Sequence, residues 1–427
     1  MTGAAASPAD RSGSSSIRLL TAAVRHARIG DPMPRPPAAP AAASEPAVSA
    51  VPAAPSERLG PVEPIRFFLA GPTYVPEDVR EAMTAPVVAH RSAAFREVYG
   101  RISGRLPPVF RTAGEVYVAT GSSTLVMEAA VVSTVGERVL NLTNGAFSER
   151  WYAVCRSLGR DADRLELPWG EPVDPDLVRG ALRRRRYEAV TVVHNETSTG
   201  VLSPLAEIAR AVREESDALL LVDAVSSLGG APVETDAWGL DVVLAGSQKA
   251  LAVPPGLALF TLSERAAGQA AALPHRGFYT DLLRYRDAHR AGGTITTPAV
   301  SVVWALDRQL ARVEAEGVEE RWARHAAAAA RTARWAEASG AALAAAPGAR
   351  SPTVSCLRPP RGVAAPEVVR RLAARGFTVA GGYGRWKADT FRIGHMGEVR
   401  ESDLEPLFAA LDDAFDEILD DPPEEPA

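Results

Sequence analysis

Lys249 and Lys387 are the only two lysines among the 47 basic residues of this chain. Arginine fills the other cationic positions. A guanidinium stays protonated in proteins, whereas a lysine amine can shed its proton and attack a carbonyl. Lys249 lies in the small, polar turn Gly246-Ser-Gln-Lys249, just after the apolar run Leu240-Asp-Val-Val-Leu244, a setting suited to an imine-forming amine. Lys387 reads as a surface lysine. Thr120-Gly-Ser-Ser-Thr124 offers backbone amides, hydroxyls and a helix dipole that together suit a phosphate. The same string is also an ordinary helix cap, and it is neither a P-loop nor a GxGxxG turn. Asp223 ends the run Ala218–Val222, where a carboxylate needs a cationic partner unless it caps the next segment. His194-Asn-Glu-Thr-Ser-Thr-Gly200 carries more hydroxyls than a connector needs. Phe147, after Asn144-Gly145, either lays a ring over a flat ligand or fills the core.

These residues require elements to position them, and the apolar pattern supplies them. Strands are expected at Glu115–Ala119, Arg138–Leu142, Arg164–Leu167, Ala189–Val193, Ala218–Val222, Leu240–Leu244 and Leu257–Thr261, with helix-length segments between most of them. This is an α/β domain with a largely parallel sheet buried on both faces. From Val300 the pattern changes to a long helix, an alanine-rich helix from Glu319, and short strands near Thr353–Leu357, Thr378–Ala380 and Phe391–Ile393. A helix from Leu404 to Leu419 closes a smaller α+β unit. In open α/β sheets ligands gather at the carboxyl ends of strands, where the residues above fall.

Composition narrows the classes. With 46% hydrophobic and 23% charged residues the chain reads as a soluble globular protein, and a net charge of −5 argues against nucleic acid as partner. No apolar run is long enough to span a membrane. Cys155 and Cys356 stand far apart, suggesting neither a disulfide framework nor a zinc site, and fit a reducing cytoplasm. Residues 1–60 form an Ala/Pro-rich extension expected to be disordered; within it, Ile17 to Ile29 has the pattern of a short basic amphipathic helix. Residues 416–427 form an acidic tail.

A phosphate cradle, an aromatic face, a hydroxyl, a carboxylate and an amine at successive strand ends match the needs of pyridoxal 5'-phosphate. At this point the chain resembles the class V aminotransferases of PLP fold type I, in particular the alanine–glyoxylate/serine–pyruvate group. The resemblance covers roughly residues 65–415 and rests on Leu69-Ala-Gly-Pro-Thr73, His90-Arg-Ser92, Thr120–Thr124, Asn144-Gly145, His194–Gly200, Val222–Gly230, Gly246-Ser-Gln-Lys-Ala250 and Phe391-Arg-Ile-Gly-His-Met-Gly397. It implies that Lys249 is the Schiff-base lysine and Asp223 the partner of the ring nitrogen. Ser122, Ser123, Thr124 and Gln248 would hold the phosphate, Phe147 would stack on the ring and Thr197 would bond its hydroxyl. Arg392 would grip the substrate carboxylate, with Gly71 at the entrance, and Thr297 would reach a phosphate across a homodimer interface. Two departures from the family are Ser123, where relatives often have glycine, and Phe147, where they often have tryptophan.

The expected organisation is a large PLP-binding α/β domain at 61–300, including an N-terminal arm at 61–110, and a connecting helix with a small C-terminal α+β domain at 301–415. The expected activity moves an amino group from an alanine- or serine-type donor to a 2-oxo acid such as glyoxylate or pyruvate. A lyase of the cysteine desulfurase type on the same scaffold is the alternative, along with a transaminase for a specialised amino acid. Arg96, Arg276 and His395 are further candidates for recognising an extra substrate group.

Overall fold

The main sheet has seven strands, in the spatial order Val116–Thr120, Leu257–Thr261, Val242–Gly246, Leu219–Asp223, Ala189–Val193, Arg138–Thr143 and Asp161–Glu166. Leu257–Thr261 runs antiparallel to both neighbours; the other pairs are parallel. The computed structural model describes residues 65–420, so the Ala/Pro-rich extension with its Ile17 to Ile29 stretch, and residues 421–427, lie outside the described residues. Successive side chains of a strand point to opposite faces. Val116 and Val118 accordingly enter one core and Tyr117 and Ala119 the other; Leu220 and Val222 oppose Leu219 and Leu221 in the same way. Both faces are buried, as continuous apolar runs demand.

Two helices, Val300–Glu316 and Val318–Ala338, lead from this sheet toward a second one. They meet at Gly317, whose φ of +89° is a conformation that side-chain-bearing residues rarely adopt. The smaller sheet orders Phe67–Phe68, Thr378–Gly381, Phe391–Gly394, Val354–Arg358 and Ala342–Leu343. The segment expected as an arm of the large domain thus gives its first strand to the smaller sheet, where Phe67 pairs with Thr378. Two-residue strands carry no readable period, which is why the sequence did not reveal it.

The closing helix runs over Glu401–Asp420, and Trp335 stacks on its Phe408 with ring centres 4.8 Å apart. Ile418 is fully buried, so the helix stays packed past residue 416, where the tail was expected to begin. Among the described residues no helix is long and apolar enough to cross a membrane.

Candidate active site

Lys249 sits in the turn after strand Val242–Gly246, with 8% of its surface exposed. Its Nζ donates to the carbonyl oxygen of Ala70 at 2.5 Å. Gly71 makes this approach possible: at its φ of +115° a Cβ would lie 2.5 Å from Lys249 Cδ and Cε. Burial is the main force that lowers the amine's pKa, to about 8, and the Arg392 charge adds to it. About a tenth of the amine is therefore uncharged at pH 7, far more than an ordinary lysine offers, and nucleophilic attack on an aldehyde requires that form.

Asp223 ends the adjacent strand Leu219–Asp223 and is buried. One oxygen accepts the Val225 amide at 2.7 Å, and no ion pair reaches the carboxylate within the described residues. Burial pushes its pKa up to about 7, with Glu196 adding to the rise. A buried carboxylate in that state suits a protonated ring nitrogen brought by a ligand. Thr197 is buried nearby in the polar turn, its hydroxyl 2.5 Å from that of Ser226.

The phosphate side is equally incomplete in protein partners. Ser122 precedes helix Ser123–Thr134 without capping it through its side chain, and Ser123 Oγ is buried with no hydrogen-bond partner. Gly246 leaves a gap beside them: a Cβ there would meet Ser123 Oγ at 2.5 Å and Gln248 Oε1 at 2.8 Å. Uncapped amides, an orphaned hydroxyl and a helix N-terminus suit a phosphate group. Thr124 lies in the first turn of the same helix.

Phe147 belongs to helix Ala146–Ser157, and its ring centre lies 5.9 Å from Lys249 Nζ. Tyr383, which sequence reasoning did not name, stacks on it at 5.4 Å with the planes 20° apart. Tyr383 also lies beneath the guanidinium of Arg392 at 5.4 Å. Arg392, 8% exposed on strand Phe391–Gly394, donates from Nε to Gly381 O at 3.0 Å and from Nη1 to Thr197 O at 3.2 Å. No carboxylate pairs with it among the described residues, so its fork can receive one from a substrate.

Helix Val318–Ala338 ties the two halves of the site together. Buried Arg321 donates from Nη2 to Ala250 O at 2.8 Å, beside Lys249, and bridges Glu316 and Glu398 at 2.6 and 2.9 Å. Burial opposes the charge on Glu398, yet Arg321 and Arg312 hold its carboxyl well below the usual range. One turn on, His325 Nε2 accepts the Gly397 amide at 3.0 Å, in the loop after Arg392. That bond leaves the proton on Nδ1, which donates to Arg321 O at 2.7 Å. Thr73 adds a second tie, donating its amide to Gln248 O and its hydroxyl to Met396 O.

Other expected residues lie elsewhere. Thr297 is exposed and makes no side-chain hydrogen bond among the described residues; Ala299, two residues on, donates its amide to Thr120 Oγ1 at 3.2 Å. Arg276 is engaged by Asp281 and the carbonyl of Ala270, so it is structural rather than a substrate contact. Arg96 lies with His90, Arg91 and Phe278 in a surface hollow that contains none of the residues around Lys249. His395 is buried against Ser355, and burial lowers its pKa to about 4. The sulfur-transfer alternative needs a mobile thiol, which neither cysteine supplies. Cys155 is locked in a helix with its pKa pushed up to about 12 by burial, and Cys356 is buried in a strand.

The family profile of the class-V aminotransferases matches residues 118–386. The chain is 37% identical over 82% of its length to a protein of a Synechococcus species named soluble hydrogenase, small subunit, covering 92% of that protein. It is 35% identical to the L-aspartate–glyoxylate aminotransferase of Paracoccus denitrificans, over 78% of this chain and 87% of the relative. Among solved structures, alanine–glyoxylate aminotransferase from a Nostoc species superposes with a TM-score of 0.78 at 30% identity, covering 84% of this chain and 97% of that one. The chain belongs to the class-V aminotransferase family. It is a transaminase of PLP fold type I, and its cofactor is pyridoxal 5'-phosphate.

Proposed function

We propose that this enzyme moves an amino group from a small amino acid to glyoxylate or pyruvate. The observation that carries the reading is a buried lysine near a buried guanidinium that no carboxylate pairs with among the described residues. When bound, the cofactor supplies an electrophilic carbon and an electron-withdrawing ring that stabilises charge released at the substrate's α-carbon. Lys249 would hold it, and its amine would move a proton at the substrate's α-carbon. Asp223 would keep the ring nitrogen protonated. Ser122, Ser123, Thr124 and Gln248 would hold the phosphate, Phe147 would stack on the ring and Thr197 would bond its hydroxyl. Gly71 gives the lysine room, and Arg392 orients the α-carboxylate of donor and acceptor alike.

The larger sheet forms the cofactor domain and the smaller sheet brings Arg392. Exposed Phe278 and Val87 would be covered in a homodimer, in which Thr297 approaches the partner's phosphate site. Free cysteines fit a cytoplasmic protein.

The decisive experiment incubates cofactor-loaded protein with alanine, serine and other donors, each with glyoxylate or pyruvate, and measures the product amino acid. Transfer to either acceptor, with borohydride fixing the cofactor on Lys249, supports the reading. Release of sulfide or alanine from cysteine without an acceptor would overturn it in favour of the lyase.

A further inference from the structure

Two guanidiniums flank the aromatic pair that covers Lys249. Arg392 lies over the Tyr383 ring. Arg150, one helical turn after Phe147, lies 4.8 Å from the centre of the Phe147 ring and donates from Nη2 to the Tyr383 hydroxyl at 3.0 Å. The adjacent Glu149 pairs with Arg164 and Arg385 at 3.0 and 3.1 Å, but not with Arg150. Arg150 therefore turns from the nearest acid toward the site, and no carboxylate pairs with it among the described residues. Both guanidiniums stand close enough to Lys249 to disfavour its charged form.

The α-carboxylate accounts for Arg392. Alanine, serine, glyoxylate and pyruvate carry no second negative charge, so they leave Arg150 without a counter-ion. The Tyr383 oxygen already accepts from Arg150, which frees the hydroxyl proton to be donated elsewhere. An aromatic-lined guanidinium and a hydroxyl donor side by side make a recognition site for a carboxylate.

We propose that Arg150 and the Tyr383 hydroxyl form a subsite for a second carboxylate, so that the donors include four-carbon dicarboxylic amino acids. The α-carboxylate lies at Arg392 and the distal one at Arg150. This rests on the transaminase reading above, which supplies the reaction.

The test compares L-aspartate with L-alanine as donors to glyoxylate, in the cofactor-loaded wild type and in Arg150→Met, Arg150→Lys and Tyr383→Phe. Losing a charge-assisted pair should lower the aspartate-to-alanine ratio of kcat/KM by about 30-fold in Arg150→Met, chiefly through KM for aspartate. Arg150→Lys should recover part of the ratio and Tyr383→Phe should lose less of it. Calorimetry with succinate and propionate, which differ by one carboxylate and do not react, gives a readout independent of turnover. Wild type should prefer succinate and Arg150→Met should lose that preference. An unchanged donor ratio, or no succinate preference in wild type, overturns the proposal and leaves Arg150 as packing for Phe147. A wild type that prefers succinate but transfers no amino group would sink the transaminase reading while sustaining the subsite.

Discussion

Glu196 holds Phe147 from below: its carboxylate accepts the Phe147 amide at 3.1 Å and the Ser148 amide and hydroxyl at 3.0 and 3.1 Å. A buried acid thus satisfies the open first turn of helix Ala146–Ser157 and sets the ring beside Lys249. Gly145 admits it, since a Cβ there would lie 2.5 Å from Glu196 Cδ. Glu196→Ala should cost about 2–3 kcal/mol by leaving buried donors without an acceptor. Cofactor affinity should fall with it, and Glu196→Gln should lose less of both. Thermal denaturation and cofactor titration check this; an unaltered affinity in Glu196→Ala would separate Phe147 from cofactor binding.

Asp223 should weaken the cofactor-free fold at alkaline pH. Its folded pKa of about 7 lies above the ordinary 3.8, so its contribution is fully favourable below the unfolded pKa and is lost as pH rises through 7. Without cofactor at pH 8, Asp223→Asn should be more stable than wild type by about 1–3 kcal/mol. With cofactor the order should reverse, because the amide cannot neutralise a protonated ring nitrogen. Melting curves of both proteins, loaded and unloaded, decide it, and equal shifts in the two states would contradict the assignment.

Lys249 should govern the pH dependence of cofactor capture. Its amine is lowered from 10.5 to about 8, so the uncharged fraction climbs about tenfold per pH unit below 8 and levels off above it. The rate of covalent capture, followed by absorbance, should trace that curve. A midpoint near 10.5 would mean that the amine is solvated rather than buried.

Arg392→Lys should raise KM for donor and acceptor about 10–100-fold, because an ammonium cannot make two parallel bonds to a carboxylate. Cofactor affinity should change little. Equal loss of both would move Arg392 from substrate binding to support of the fold.

Much of this was legible in the sequence because strands and strand ends advertise themselves. Ala189–Val193 and Leu257–Thr261 lie where their apolar runs place them; Lys249 stood out as one of only two lysines, and Asp223 as an acid at the end of an apolar strand. Tyr383 was invisible because it sits in the glycine-flanked segment Gly381-Gly382-Tyr383-Gly384, far along the chain from Phe147. Glu196 stood in plain view within a polar turn, yet nothing in its neighbours signals complete burial. Its amide partners are nearly fifty residues earlier, and only the fold brings them together. Arg321 is hidden for the same reason, as one more arginine in a helix full of them.

Because Arg321 and His325 are one turn apart on a single helix, the loop bearing Lys249 and the loop following Arg392 are fastened to the same rod. Reach between the amine and the α-carboxylate is then a fixed measure rather than an adjustable one. Arg150 and Tyr383 lie off that rod, so the range of molecules accepted can be redesigned there without bending it.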